Sequence, residues 1–276
     1  MCTYYIENSG QVNLIKSKRG RFFDYSNFKD NTTLNAIYSR GNRDGYIAKY
    51  NENGELQWVN TFGGNYNDYA DAIKIDGDGN LIVAGRITQV ATFSDGEELG
   101  NTDSTTSQHK QVILKLNGNT GDLLWKTYTD YIPQRDNNNY YSYDNNIVIK
   151  SDGTIVSVIN EFQWNDNNTI KVLEISSADG TFNLVNEIPF TAFITDIELD
   201  NNDNIYLAGR DIRYVNSWNY SGILTKLDAN YNETWEALMT GSDVWLWNVE
   251  YDSINDLIHI SGKGTGVNYN PLGDTW

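Results

Sequence analysis

The chain has 276 residues, a formal net charge of −17, 23 glycines, three prolines and one cysteine. The acidic balance argues against a nucleic acid partner, because there is no excess of lysine and arginine to displace counterions from phosphates. The single cysteine excludes an internal disulfide framework and a cysteine-based zinc site, and the lack of any run of eighteen apolar residues argues against insertion into a membrane.

The first predicted element is a β-hairpin over residues 3–16, in which two alternating runs flank a turn that contains Gly10. Beyond it, two kinds of hairpin alternate along the chain with a period of about 55 residues. The first kind, called the AB hairpin here, has a turn of Asp, Asn and Gly and ends in Ala-Gly, most clearly in Ala72–Gly85. AB hairpins are predicted at 32–41, 71–85, 146–159, 196–209 and 249–262.

The second kind, called the CD hairpin, places a tryptophan shortly after its turn, most clearly in Tyr46–Trp58. CD hairpins are predicted at 45–61, 111–127, 169–187 and 222–238, and residues 3–16 match the same pattern. One AB hairpin followed by one CD hairpin gives four antiparallel strands in each repeat. Four strands in a repeated unit are typical of a β-propeller blade.

The predicted fold is therefore all-β, a β-propeller of five four-stranded blades in one domain over residues 1–276. The blades are expected at 17–61, 70–128, 144–187, 194–238, and 247–262 completed by 3–16. Pairing the N-terminal hairpin with the C-terminal one would close the ring and remove two open sheet edges. The alternative is that the sequence is a piece of a longer array of repeats.

Two stretches carry a resemblance to a known repeat. Asp200–Gly209 and Lys49–Trp58 resemble the two hairpins of the bacterial SBBP-type β-propeller repeat, and the match covers about four of the five blades. The resemblance implies a secreted or cell-surface bacterial protein. The first residues have neither a basic nor an apolar segment, so no signal peptide is predicted from them.

We expect ligand binding in the connections between hairpins, which do not follow the repeat. The turns within hairpins are short, whereas the connections between hairpins are long and irregular, and long loops on one face of a scaffold are common binding sites. These connections are 62–69, 87–110, 129–143, 160–168, 188–194, 211–221, 239–246 and 263–276.

Aromatic residues in these connections are the candidate ligand-binding residues. They are Tyr66, Tyr69, Arg135, Tyr140, Tyr141, Trp164, Trp218 and Trp245, a set that also includes one arginine. Such rings suit the faces of sugars or a protein epitope; the alternative is that they pack the loops onto the strands. Trp58, Trp125 and Trp235 recur at one position of the CD hairpin, so we predict that they belong to the core.

Five acidic residues fall near the starts of the AB hairpins, where side chains could surround the mouth of a central shaft. They are Asp68, Asp71, Asp144, Asp196 and Asp243. Paired carboxylates in such a place could hydrolyse a glycosidic bond, but no residue aligns with a glycosidase motif, and a solvated or asparagine-paired rim is the favoured interpretation. We therefore predict no catalytic residue.

No cofactor or metal is predicted. The stretch Asp76–Asn80 begins like a calcium loop, but Leu81 and Ile87 stand where an EF-hand needs glycine and glutamate. A blade turn accounts for the same residues, and calcium is retained only as an alternative.

The expected function is non-enzymatic: a recognition or scaffold propeller that binds a protein or glycan through its aromatic loops. Two alternatives remain open. One is a carbohydrate-active hydrolase or lyase that uses the carboxylates at the shaft mouth. The other is a structural subunit of a larger surface or virion assembly.

Overall fold

The computed structural model describes residues 2–8, 11–17, 25–29, 34–100, 109–129, 146–161, 169–189, 192–211 and 220–272. Within these ranges the chain forms antiparallel β-sheets, which confirms the all-β prediction. No helix in the same ranges is long and apolar enough to cross a membrane. The chain divides into two compact units, Met1–Pro133 with Ala178–Thr181, and Gln134–Ser177 with Phe182–Trp276.

The first unit is built on two four-stranded sheets, each accompanied by a small hairpin. Its strands are β1 (Cys2–Asn8), β2 (Gln11–Ser17), β3 (Tyr25–Lys29), β4 (Leu34–Tyr38), β5 (Gly45–Tyr50), β6 (Leu56–Phe62), β7 (Tyr69–Ile75), β8 (Leu81–Thr88), β9 (Val90–Thr92), β10 (Glu98–Gly100), β11 (His109–Leu116) and β12 (Leu123–Tyr128). The sheet orders are β1-β2-β5-β6 and β7-β8-β11-β12. The pairs β3–β4 and β9–β10 form separate two-stranded sheets.

The predicted pairing of the N-terminal hairpin with the C-terminal one is wrong for the described strands. Instead, β2 pairs with β5, with Leu14 opposite Tyr50 and Ile15 opposite Lys49. The N-terminal hairpin thus takes the edge that is predicted for an AB hairpin at 32–41. The hairpin found in this region pairs β3 with β4, so it begins before the predicted range. Both hairpins alternate in the same way, so the residue pattern alone does not determine which of them pairs with the edge of β5.

The second unit contains a four-stranded and a five-stranded sheet. Its strands are β13 (Asn146–Ile149), β14 (Ile155–Glu161), β15 (Thr169–Ile175), β16 (Phe182–Pro189), β17 (Ala192–Leu199), β18 (Ile205–Asp211), β19 (Ser221–Leu227), β20 (Glu233–Asp252) and β21 (Leu257–Leu272). Both sheets run in chain order, β13-β14-β15-β16 and β17-β18-β19-β20-β21.

Two connections that we expected to be irregular are strand. Residues 239–246 lie inside β20, and residues 263–272 of the predicted C-terminal loop lie inside β21. The two strands pair along their length through register shifts between Thr240 and Asn248. Bulges at these shifts bend the paired strands, and β20 and β21 remain paired on both sides of the bulges.

Each unit has its own apolar core. In the first unit Ile47 and Phe62 pack with Val83 and Leu114, and in the second Val156 and Val172 belong to a cluster that contains Leu207 and Ile223. Strand β8 is buried along its whole length. These inner strands read as nearly continuous apolar runs because neighbouring strands and side chains cover both of their faces.

An ion pair recurs at the equivalent position of three sheets. Lys115 Nζ lies 2.9 Å from Asp76 Oδ2, and Lys226 Nζ lies 3.2 Å from Asp200 Oδ2. The equivalent positions of the β13–β16 sheet exchange their charges, since Lys150 replaces the aspartate and Glu174 replaces the lysine. Their atoms remain 3.6 Å apart, so this repeat keeps an ion pair with reversed polarity.

A second recurring contact joins a tryptophan to a glycine of the next CD turn. A Cβ on Gly121 would lie 2.6 Å from the Trp58 ring, and a Cβ on Gly180 would lie 2.6 Å from the Trp125 ring. Both glycines have positive φ, 77° and 75°. Trp235 holds the same place in the repeat but is 37% exposed, which corrects the expectation that all three tryptophans are core residues.

We expect Gly121→Ala to destabilise the protein more than Gly54→Ala does. Gly54 has nearly the same φ, 78°, but open space where its Cβ would be. The left-handed backbone makes either alanine unfavourable by about 1–2 kcal/mol, and the clash with Trp58 adds about 1–3 kcal/mol at Gly121 alone. Urea unfolding of both variants measures the difference; equal losses would contradict the proposed packing.

Candidate functional site

The candidate site is a cation opposite an aromatic residue, repeated at one end of three AB hairpins. The strand registers place Tyr69 opposite Arg86, Phe193 opposite Arg210, and Trp245 opposite Lys263. In each case the cation directly follows a glycine, in Gly85-Arg86, Gly209-Arg210 and Gly262-Lys263.

The glycines allow the first strand of each hairpin to approach closely. A Cβ on Gly85, Gly209 or Gly262 would overlap the backbone carbonyl oxygen of Tyr69, Phe193 or Trp245, respectively. A register shift follows within three residues of each of these aromatic residues. A glycine opposite a bulge is a known way to bring two backbones together and to redirect neighbouring side chains.

In the first unit, the arginine of the pair is buried and bound to a carboxylate, and the tyrosine is half-buried. The Arg86 guanidinium lies 4.5 Å from the centre of the Tyr69 ring, and its Nε and Nη2 donate to the two oxygens of Asp71 at 2.6 and 3.0 Å. Arg43 Nη1 donates to the Tyr69 hydroxyl at 3.1 Å. Two arginines thus contact a single tyrosine, and a carboxylate holds one of these arginines in place.

In the second unit, one arginine is sandwiched between two rings. The Arg210 guanidinium lies 3.1 Å from the centre of the Tyr220 ring and 4.1 Å from that of Trp245. Lys263 Nζ lies 5.2 Å from the Trp245 ring centre. Contacts of this kind stabilise by about 0.5–2 kcal/mol each, depending on how far water is excluded.

Asp243 completes this second cluster. One of its oxygens accepts a hydrogen bond from Trp245 Nε1 at 2.6 Å, and the other lies 2.8 Å from Lys263 Nζ. Burial alone would raise the pKa of Asp243, but the hydrogen bonds from Lys263 and Trp245 outweigh it and hold the pKa below its usual value. The group therefore stays charged, and it orients both the indole and the ammonium group.

Asp68 has a different role. It is almost fully buried, and its two oxygens accept hydrogen bonds from the backbone N–H groups of Gly64 and Thr88, each at 2.8 Å. It therefore fastens the connection between β6 and β7 to the end of β8. Burial raises the pKa of Asp68 to about 7 despite these bonds, with a smaller contribution from Asp44.

The described members of the predicted carboxylate group each have a different partner. Asp71 pairs with Arg86, Asp243 pairs with Lys263, and Asp196 accepts a hydrogen bond from the Val249 backbone at 2.9 Å. Asp144 lies outside the described residues. Each described carboxylate thus has a partner that fixes local structure.

Of the predicted ligand-binding residues, three can be placed. Tyr66 is 44% exposed in the connection before β7, and Tyr69 and Trp245 belong to the two clusters above. The remainder lie outside the described residues: Arg135, Tyr140, Tyr141, Trp164 and Trp218.

The sequence analysis missed Arg86, Arg210 and Lys263. The signal was present as a glycine followed by a basic residue at the end of an AB hairpin. The repeat pattern by itself accounts for those glycines, and the predicted aromatic residues all lie in the connections between hairpins.

The predicted calcium alternative concerned the turn that begins at Asp76. One oxygen of Asp76 accepts hydrogen bonds from the backbone of Asp78 at 3.0 Å and of Asn80 at 2.8 Å, while the other pairs with Lys115. The carboxylate is thus used to build the turn. The described residues contain no group of three or more Asp, Glu, His or Cys side chains that could hold a metal ion.

Comparison with models of known protein families and with curated proteins gives no match for this chain.

We expect Asp68 to make the protein less stable as the pH rises from 5 to 8. Its pKa in the folded state lies above the unfolded value of 3.8, so folding favours the protonated form. The stability that this provides is complete below pH about 4 and is lost as the pH rises towards 7. The expected decrease in the free energy of unfolding is about 1–3 kcal/mol.

Urea unfolding at pH 5 and pH 8 measures this decrease. Asp68→Asn should remove most of it, leaving the smaller contribution of Asp44, whose pKa burial also raises. Asp95→Asn is the control, because the pKa of Asp95 is lowered and its effect on stability falls below this pH range. The same decrease in Asp68→Asn as in the parent protein would contradict the assignment.

Proposed function

We propose that this chain is a non-enzymatic recognition or scaffold protein that binds a protein or glycan partner. In this proposal the four-stranded sheets are blades of a β-propeller, and the partner binds at the aromatic–cation cluster of the second unit, around Trp245. The observation that supports it is the recurrence of those pairs, Tyr69 with Arg86, Phe193 with Arg210 and Trp245 with Lys263, each after a glycine opposite a bulge.

The chemistry of the second cluster suits recognition. Tryptophan, tyrosine and arginine are the residues that most often dominate binding energy at interfaces, and Trp245, Tyr220 and Arg210 are stacked together here. Lys263 and Asp243 remain nearly half exposed, so they can exchange hydrogen bonds with hydroxyl, carboxylate or amide groups of a partner. An overall charge of −17 makes such a local concentration of cations a distinct feature of the surface.

The partners of the carboxylates favour binding over hydrolysis. Glycosidases need two carboxyl groups that face one open pocket. The raised pKa of Asp68 would suit a general acid, but this group is almost fully buried and both of its oxygens accept backbone hydrogen bonds. Asp71 and Asp243 are held by cations, which keeps them charged and favours a positioning role.

The proposed propeller arrangement rests on the chain-order pairing of the strands. In the β7–β12 and β13–β16 sheets, an AB hairpin pairs directly with the CD hairpin that follows it, as in a blade. The similarity to the SBBP-type repeat, and with it a secreted or surface location in a bacterium, belongs to the same proposal.

Trp245→Ala should weaken partner binding at least about tenfold, or about 1.4 kcal/mol. The change removes the ring that holds Arg210 and Lys263 in place. A glycan array and a protein-interaction screen with the purified chain would supply the partner, and calorimetry with that partner would measure the effect.

Trp247→Ala is the matched control, because Trp247 lies in the same strand, is 45% exposed and does not belong to the cluster. Unchanged affinity in Trp245→Ala, or an equal loss in both variants, would contradict the proposed site.

A further inference from the structure

Within the first unit, residues 40–44 lie against the connection between β6 and β7. The Arg43 N–H donates to the Tyr66 carbonyl oxygen at 3.3 Å, and the Arg43 carbonyl oxygen accepts a hydrogen bond from the Asp68 N–H at 2.7 Å. The carboxyl group of Asp68 is itself buried and fixed by two backbone N–H groups. The connection therefore holds the backbone of Arg43 through both of its polar groups.

The side chain of Arg43 keeps hydrogen-bond donors that the described residues do not use. A guanidinium group has five N–H donors, and Arg43 Nη1 donates to the Tyr69 hydroxyl at 3.1 Å. Within the described ranges the structure shows no other hydrogen bond and no ion pair for this side chain. Arg40, by contrast, lies 3.6 Å from Asp44. Arg43 is partly exposed, so it retains the charge and the planar geometry to bind a carboxylate through two parallel hydrogen bonds.

The residues next to Arg43 in these two segments suit the hydroxyl groups of a sugar. Asn67 lies opposite Arg43 in a parallel bridge, and Asn42 and Asn65 are exposed. The side-chain amides of these three residues have no hydrogen bond in the part of the chain that the structure describes, so each can donate to one hydroxyl and accept from another. Tyr66, from the same connection, is 44% exposed, and a tyrosine ring offers an apolar surface for the C–H face of a sugar.

We propose that Arg43 binds the carboxylate of a uronic acid, an acidic sugar, and that the neighbouring asparagine amides bind its hydroxyl groups. The site lies in the first unit, so the inference does not depend on the function proposed for the cluster around Trp245. A sugar with one carboxylate is favoured over an acidic peptide, because a chain of net charge −17 repels a ligand with many carboxylates more strongly.

Calorimetric titration of the full chain with two disaccharides tests the inference. One disaccharide carries a single glucuronic acid, and the other is its carboxyl-reduced form, with glucose in place of the acid. The acidic form should bind at least about tenfold more tightly, because the reduced form lacks the carboxylate that pairs with the guanidinium. The titrations are made at pH 6, where Asp68, with a pKa of about 7, is largely protonated and does not oppose the ligand.

Variants of Arg43 separate this pairing from a general attraction. Arg43→Gln should abolish the preference for the acidic disaccharide and leave the weaker binding of the reduced form unchanged, since the backbone hydrogen bonds of residue 43 remain. Arg43→Lys keeps the charge but not the two parallel hydrogen bonds, so it should retain only part of the preference. Arg40→Gln is the matched control: it removes the same charge from the same segment, but Arg40 already faces Asp44, and most of the preference should persist.

Several outcomes of these titrations would overturn the inference. They are the absence of binding by the acidic disaccharide, equal affinity for the two disaccharides, and a preference that survives Arg43→Gln. An equal loss in Arg40→Gln and Arg43→Gln would also overturn it, because it would indicate a general effect of charge. A peptide with one glutamate should bind more weakly than the acidic disaccharide; equal or tighter binding of the peptide would assign the site to a peptide instead.

Discussion

The packing of a tryptophan against a glycine turn is the contact on which the regularity of this protein depends. An indole ring can lie on a turn only where no Cβ intervenes, and Gly121 and Gly180 meet that condition with a backbone conformation that other residues adopt at a cost. The contact occurs at two of the described CD turns, and each time it ties a turn to the CD hairpin that precedes it in the chain.

A second close contact, between a glycine and the backbone of the neighbouring strand, determines where the aromatic–cation pairs form. Gly85, Gly209 and Gly262 let a bulged strand come near enough that a cation and an aromatic residue face each other across the hairpin. The same backbone geometry, a glycine opposite a bulge, produces a different cluster in each unit. Around Arg86 it yields a buried ion pair, and around Trp245 it yields stacked rings with exposed charges, which is where we place recognition.

Much of the fold follows from local patterns, whereas the candidate site does not. The AB hairpin at 71–85 and the CD hairpin at 111–127 were predictable because alternation and turn residues act over neighbouring positions. The ion pair of Lys150 with Glu174 could have been inferred from aligned repeats, since both charges reverse together. The stacking of Arg210 between Tyr220 and Trp245 joins residues of two strands and of the segment before β19, and no local pattern encodes it.

The sequence by itself determined the strands, their turns and the period of the repeat, because these depend on backbone preferences and on the alternation of apolar residues. Tertiary structure decided which hairpin pairs with β5, how far β20 and β21 extend, and which tryptophan stays exposed. The N-terminal hairpin and the hairpin of β3 and β4 have the same alternating pattern, so they differ only in the strands that lie beside them in the folded chain. Pairing and burial therefore depend on the positions of all strands together, and no single segment carries that information.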